Sequence, residues 1–283
     1  MTIRRALRSA RSALGDSDTA DLDAQTLLAH ALGVDRACLF AHPDRRLAAA
    51  QFCIFQSALE RRAAGEPIAY IIGRKGFFDL ELLVTPAVLI PRPETELLLE
   101  EALRLTESKS AWRVADIGTG SGALAVTFAR QRPRATVFAT DISADALAIA
   151  RQNAERAGVS VKALLGDLAA PLIERGVGVD LLLANLPYIA SGELAALAVS
   201  RFEPRLALDG GADGLALIRR LLAQIPVVCL PGATVLLEIG ANQGAAVADL
   251  VAERLATECD ILRDYAGLDR IARFQLPADR SSV

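Results

Sequence analysis

Asn185-Leu186-Pro187-Tyr188 is the stretch whose residue types and order could do chemistry. The asparagine offers a side-chain carbonyl acceptor, Leu186 a backbone carbonyl, Pro187 a fixed φ and Tyr188 a flat ring. Two acceptors and a ring form a clamp for a planar NH2 group. Taken alone, the same residues read more simply as a polar strand end followed by a proline turn.

A second constellation shifts that balance. Asp116-Ile117-Gly118-Thr119-Gly120-Ser121-Gly122 follows one apolar run and opens a helical one. Glycines there let the backbone turn tightly and approach a ligand, with helix amides facing it. Asp141 stands about twenty residues on, where an acid commonly hydrogen-bonds ribose hydroxyls. Asp167 follows the next strand-like run and could accept from an adenine amino group. With Ala123 the loop also satisfies G-x-G-x-x-[GA], so an NAD-dependent oxidoreductase competes for it. Against that reading, Asp116 puts a carboxylate where a dinucleotide's pyrophosphate must approach. An acid there suits a cofactor with a cationic amino-acid end, such as S-adenosylmethionine.

Strand ends must carry these groups. Val179-Asp180-Leu181-Leu182-Leu183-Ala184 reads as a strand buried on both faces of a parallel sheet, which places Asn185 at its carboxyl end, where ligands gather in open α/β sheets. From Arg113 onward strand and helix patterns alternate: strand 113–117, helix 123–130, strand 136–140, helix 145–157, strand 161–165, then the strand into Asn185. Helices over 215–225 and 243–255 flank a strand over 234–239. A short turn between 259–265 and 270–275 demands an antiparallel pair. The expectation is an α/β fold of about seven strands, mostly parallel, with one reversed strand at the end of the sheet.

Before it, residues 1 to about 64 show helical periodicity, with Ile3, Leu7, Ala10 and Leu14 on one face. Asp18 or Asp21 is the expected cap of a helix that stops at Gly33, and 48–64 forms another. His30, within an apolar run, reads as a packed or capping residue. A hairpin is expected from 80–84 and 88–90, with Thr85-Pro86 between them. Pro91-Arg92-Pro93-Glu94-Thr95-Glu96 then opens a helix to about Thr106.

Composition fits an ordinary globular protein: 283 residues, 52% hydrophobic and 23% charged, with a net charge of -3 that argues against a broadly basic nucleic-acid surface. Four scattered cysteines and two histidines make neither a metal-ligand spacing nor a disulfide framework, so a reducing cytoplasm is expected. The Arg-rich N-terminus lacks a signal-peptide core and excludes an organellar transit peptide only weakly. No run approaches the roughly 18 apolar residues of a membrane span.

At these residues the chain resembles the class I S-adenosylmethionine-dependent methyltransferases, and more closely the release factor glutamine methyltransferases. The resemblance rests on the glycine loop, G-E-P-I-A-Y-I-I-G from Gly65, I-P-R-P-E-T-E from Ile90, F-E-P-R-L-A-L from Phe202, G-A-D-G-L from Gly211 and E-I-G-A-N-Q-G from Glu238. It implies a Rossmann-like seven-stranded sheet with one antiparallel strand. A helical substrate-docking domain would occupy 1–74, and a hairpin linker with the methyltransferase domain 75–283. It implies methyl transfer to the side-chain amide (N5) of the glutamine in the Gly-Gly-Gln motif of class-1 peptide chain release factors. By this likeness Gly118, Thr119, Gly120, Ser121, Gly122, Asp141, Leu168 and Asn185 contact S-adenosylmethionine, and Asp116 and Asp167 join them on the chemistry of their carboxylates given above. Asn185, Leu186, Pro187 and Tyr188 hold the glutamine.

Two residues depart from the family pattern. An aromatic residue often stands where this chain has Leu168, and the family's N-P-P-Y is here N-L-P-Y. N-L-P-Y also occurs in enzymes that methylate adenine N6 in ribosomal RNA, which makes a nucleic-acid methyltransferase the alternative. The N-terminal 64 residues carry similar numbers of acidic and basic side chains, which favours a protein substrate. No nucleic acid, metal or membrane partner is expected, and the chain is expected to be a monomer.

Overall fold

The computed structural model describes residues 1–15, 18–106 and 111–278. Its contacts divide the chain into two compact units, Met1–Arg74 and Lys75–Val283.

The first unit is helical: α1 (Ile3–Leu14), α2 (Ala20–Leu32), α3 (Arg36–Ala41), α4 (Ala49–Ala63) and α5 (Ile68–Ile72). Ile3 and Ala10 are buried on α1, and Leu7 and Leu14 pack beside them, as the i, i+4, i+7 spacing requires. Neither expected aspartate caps α2. Its N-cap is Thr19, whose hydroxyl donates to Asp23 Oδ2, and Asp21 sits inside the first turn, where its charge meets the positive helix end. Gly33 ends α2 at φ 67°, a left-handed conformation that glycine adopts without strain. His30 is half-buried, and burial with the nearby Arg74 cation lowers its pKa.

The hairpin pairs β1 (Arg74–Phe77) with β2 (Leu80–Leu83) across a turn at Phe78 and Asp79. Residues 88–90, expected as its second strand, form none. Pro86 and Pro91 bracket a segment too short to pair, and Val88 and Leu89 instead wall a cavity at the carboxyl ends of the strands described next. Asn153 ties β2 inward: its Oδ1 accepts from Leu83 N at 2.7 Å, and its Nδ2 donates to Leu83 O and to Ser121 O.

The larger unit continues with α6 (Pro93–Leu105), β3 (Arg113–Ile117), α7 (Ala123–Gln131), β4 (Thr136–Asp141), α8 (Ala144–Ala157), β5 (Val161–Leu165), α9 (Ala170–Ile173) and β6 (Val179–Ala184). Then come α10 (Ala216–Val228), β7 (Cys229–Glu238), α11 (Gly244–Leu255), β8 (Cys259–Arg263) and β9 (Asp269–Gln275). The sheet runs β5-β4-β3-β6-β7-β9-β8. Neighbours from β5 to β7 are parallel, and β9 is antiparallel to both β7 and β8. The reversed strand thus lies one place in from the edge, because β9 pairs with β7 as well as with its hairpin partner.

β6 is central, and its alternation serves two cores. Leu181 and Leu183 pack with Leu98, Leu99 and Phe128 on one face, and Val179, Leu182 and Ala184 pack with Leu221, Leu222 and Val247 on the other. Each such buried leucine stabilises the fold by roughly 2 kcal/mol, so the strand end at Asn185 stands on a rigid base. β7 starts earlier than expected. Val179 pairs with Cys229 and Leu181 with Thr234, so the extra residues around Pro231 and Gly232 bulge out of the ladder. Among the described residues, no helix is long and apolar enough to cross a membrane.

Candidate active site

The chain builds β3, β4 and β5 outward and then returns to lay β6 on the other side of β3. At such a switch point the loops leaving two adjacent strands diverge and open a crevice. Here it is a cavity of about 420 Å³, within the usual range for small-ligand sites. Its walls include Gly118 to Ser121 after β3, Asp141 after β4, Asp167 and Leu168 after β5, and Asn185 to Pro187 after β6. Residues 87–92 and 204–207 contribute to the remaining wall. Buried Glu203 joins those two segments, accepting from Ile90 N at 3.2 Å and from the Arg92 guanidinium at 2.5 Å.

The glycine loop is held from outside the cavity. Gly118 N and Thr119 N both donate to Thr140 O at 2.9 Å, Gly120 N donates to Asp141 Oδ2 at 2.9 Å, and Gly122 N to Thr119 O. Those four N–H groups are therefore not free for a pyrophosphate, which would need them at this turn. What the loop offers is open space at Gly120: both Gly118 and Gly120 have positive φ, but only at Gly120 does nothing stand within 4 Å of where a Cβ would lie. Gly122 does not line the cavity. A Cβ there would crowd Val126 and Ala150, so this glycine serves the packing of α7 on α8.

Asp116 does line it, although the residue is only 1% exposed. Its Oδ2 accepts from Thr119 Oγ1 at 2.6 Å and from Ala125 N at 3.2 Å. Burial pushes its pKa up to about 6 against those two bonds, and Asp141 adds repulsion. Asp141 uses one oxygen on Gly120 N and the other on Ser143 N, and burial raises its pKa too. Each oxygen keeps a lone pair for a hydroxyl donor. Asp167 is less free than expected, because its carboxylate is paired with Arg220 from α10, where the sequence carries no warning of a partner. Leu168 is buried with φ 50°, a strained conformation for a leucine that turns the chain along the cavity wall.

At the end of β6, Asn185 is half-buried and its Nδ2 donates to Thr95 Oγ1 at 2.9 Å. Among the described residues nothing donates to its Oδ1 or to the Leu186 carbonyl, so two residues of the cavity wall each keep an acceptor without a donor. The Leu186 side chain is 4% exposed and faces the glycine loop. Tyr188 is not part of the cavity wall. Burial raises its phenol pKa, its carbonyl accepts from Gln243 Nε2 at 3.0 Å, and the chain beyond it is strapped to 208–211.

Sequence reasoning passed over Thr95 and Glu238 as site residues. Both lie within quoted motifs, I-P-R-P-E-T-E and E-I-G-A-N-Q-G, but in one dimension they are far from Asn185. Glu238 ends β7 beside the end of β6, where Ala184 pairs with Leu237. It is 2% exposed, and burial pushes its pKa up to about 7 while hydrogen bonds from Thr95 and Asn185 hold it down.

Comparisons with known proteins agree with the geometry. Residues 5–73 match the family model described as the PrmC N-terminal domain, and residues 93–204 match the Methyltransferase small domain. A release factor glutamine methyltransferase from Moorella thermoacetica is 45% identical over 95% of this chain and 97% of its own length. Its namesake from Xylella fastidiosa is 44% identical over 90% and 93%. Among solved structures, the catalytic domain of hMettl16 in complex with the MAT2A 3'UTR hairpin 1 superposes with a TM-score of 0.55 at 14% identity, covering 79% of this chain and 82% of that one. The T. thermophilus 16S rRNA N2 G1207 methyltransferase, bound to AdoMet and guanosine, gives 0.54 at 16% identity, over 72% and 49%. At such identities the two structures speak for the fold alone.

Proposed function

The chain belongs to the release factor glutamine methyltransferases, and from that premise we propose that it methylates the side-chain amide nitrogen of the glutamine in the Gly-Gly-Gln motif of class-1 release factors. The supporting observation is the pair of unoccupied acceptors, Asn185 Oδ1 and Leu186 O, at the end of β6 beside the glycine loop.

The residues present suit S-adenosylmethionine. Gly120 leaves room at the loop, Asp141 keeps lone pairs for ribose hydroxyls, Asp116 supplies a carboxylate for a cationic amino group, and Leu168 supplies an apolar wall for the adenine. When bound, the cofactor supplies an electrophilic methyl carbon. A carboxamide nitrogen is a poor nucleophile because its lone pair is delocalised, so orientation must supply much of the acceleration. Asn185 Oδ1 and Leu186 O accept the two amide hydrogens, which fixes the plane of the glutamine amide. The same oxygens stabilise positive charge as it grows on that nitrogen. Pro187 restricts the loop that presents the Leu186 carbonyl.

The helical unit, residues 1–74, serves as the docking module for the release factor, and the enzyme works as a cytoplasmic monomer without nucleic acid. The near-balanced charge of its first 64 residues supports a protein partner over a polyanion. Mass spectrometry of the Gly-Gly-Gln peptide from cells with and without this protein tests the reading. A glutamine that carries the methyl group equally in both overturns it. Transfer of labelled methyl to RNA and not to a release factor would instead establish the adenine alternative.

A further inference from the structure

Glu238 is a buried carboxyl that the mechanism above does not use, and one of its oxygens, Oε2, has no hydrogen-bond partner. The other contacts of the group lead to Asn185. Thr95 Oγ1 accepts from Asn185 Nδ2 at 2.9 Å, Glu238 ends β7 beside the end of β6 that carries Asn185, and the nearby Thr95 and Asn185 side chains favour its ionised form. We propose that Glu238 is a positioning residue that dictates which way the Asn185 amide points, through Thr95 and through its charge at the adjacent strand end. This rests on Asn185 being the acceptor for the substrate amide.

The physical reason is the one-sidedness of a carboxylate. Ionised, it only accepts, so every group turned toward it must present a hydrogen. An asparagine amide is nearly symmetric in shape, and either end fits the same space. The hydrogen-bond network decides which end faces where. With Glu238 ionised, the NH2 end is drawn to Thr95 and Glu238, and the carbonyl end is left for the cavity. A chain of donors ending on an anion also polarises the amide, which strengthens Oδ1 as an acceptor. Protonated Glu238 becomes a donor at one oxygen, and the flipped amide, NH2 outward, then competes. An outward NH2 repels the very hydrogens it should hold.

Charged and titratable groups around Glu238 come from each neighbouring element: Glu94 on α6, Arg270 on β9, and Tyr188 in the loop after β6. Arg270 favours the ionised form and Glu94 opposes it. The Tyr188 phenol is shifted upward and stays neutral. Asp116, pushed up to about 6, belongs to the cofactor cradle, so its titration registers in cofactor affinity.

The test measures kcat of the full chain at saturating cofactor on an unmethylated class-1 release factor, from about pH 6 to about pH 9. The native protein loses kcat as pH falls through about 7, where Glu238 takes up its proton. Glu238→Gln lowers kcat by about ten- to a hundredfold, flattens that acidic limb, and leaves cofactor affinity within about twofold. Thr95→Val removes the hydroxyl between the two groups, lowers kcat in the same direction and keeps the limb. An acidic limb that survives Glu238→Gln, or a native kcat in Glu238→Gln, overturns the proposal. If Glu238→Gln does not fold, a native kcat in Thr95→Val overturns it. Failure of the underlying reading looks different: Asn185→Ala would then turn over at the native rate.

Discussion

Leu186 and Gly118 are in direct apposition: a Cβ placed on Gly118 would stand 3.0 Å from Leu186 Cδ2. The leucine side chain therefore packs over Gly118, while its carbonyl accepts no hydrogen bond from the described residues. Two roles of one residue can be separated. Leu186→Ala keeps the carbonyl and opens a hole, so it should cost about 2 to 4 kcal/mol of stability while kcat stays within about threefold. Thermal unfolding and turnover of the same sample check both. Gly118→Ala suffers twice, from the contact and from φ +73°. Adding Leu186→Ala relieves only the contact, so the double variant should recover part of the lost cofactor affinity and not all of it.

Gly214 bears on the same loop from the other side. At φ +76°, a Cβ there would overlap the Tyr188 carbonyl oxygen, which is backbone and cannot step aside, and crowd Gln243 Nε2. Gly214→Ala should push Tyr188 off Gln243 and move the tetrapeptide with it. Methyl transfer should fall by about a hundredfold, whereas cofactor binding, assigned under the proposed function to the β3 and β4 loops, should change by less than about threefold. Isothermal titration with S-adenosylmethionine beside turnover measurements distinguishes this from general unfolding.

Much of this arrangement was legible in the sequence because it follows from periodicity. The run from Val179 to Ala184 buries both faces, so it reads as a central strand, and its end places Asn185 without further information. The alternation from Arg113 onward likewise specifies a parallel sheet. Other parts follow from no local pattern. Arg74-Lys75-Gly76-Phe77 lacks strand alternation yet pairs with β2, whereas the apolar Val88-Leu89-Ile90 does not pair at all. Thr95 and Glu238 reach Asn185 only through the fold: one comes from a helix that begins 92 residues before it, and the other from the adjacent strand. Gly122 and Tyr188 lie within quoted motifs but outside the cavity wall: a Cβ on Gly122 would crowd Val126 and Ala150, and the Tyr188 carbonyl accepts from Gln243.

Stability should fall as pH rises from about 4 to about 7, against the usual expectation for a protein with many paired carboxylates. Asp116 is raised from 3.8 to about 6 and Glu238 from 4.5 to about 7. A raised carboxyl pKa means that the folded chain binds the proton more tightly than the unfolded one. The stabilisation is therefore full below the unfolded pKa and is lost as pH climbs to the folded value, by up to about 3 kcal/mol for each group. Asp209 and Asp213, lowered to about 2, act oppositely and only as pH falls below 3.8. Calorimetric unfolding of the larger unit's transition should accordingly peak near pH 4 to 5. Asp116→Asn with Glu238→Gln should flatten the decline above it, and an equal slope in that double variant would refute the assignment.

Asn185→Ala addresses the acceptor itself. The change removes one of two oxygens at the cavity while leaving the Leu186 carbonyl, the glycine loop and both aspartates of the cradle in place. If the oxygens act in the transition state, where positive charge grows on the amide nitrogen, kcat should drop by at least about a hundredfold and cofactor affinity by less than about tenfold. If Asn185 served only to cap the strand, stability would fall and kcat would follow the folded fraction. The two cases part at low temperature, where the variant is fully folded: a turnover defect that persists there belongs to chemistry. Since Leu186→Ala keeps its carbonyl, the contrast between these neighbouring truncations, one severe in turnover and one severe in stability, is what an acceptor built from one side chain and one backbone group requires.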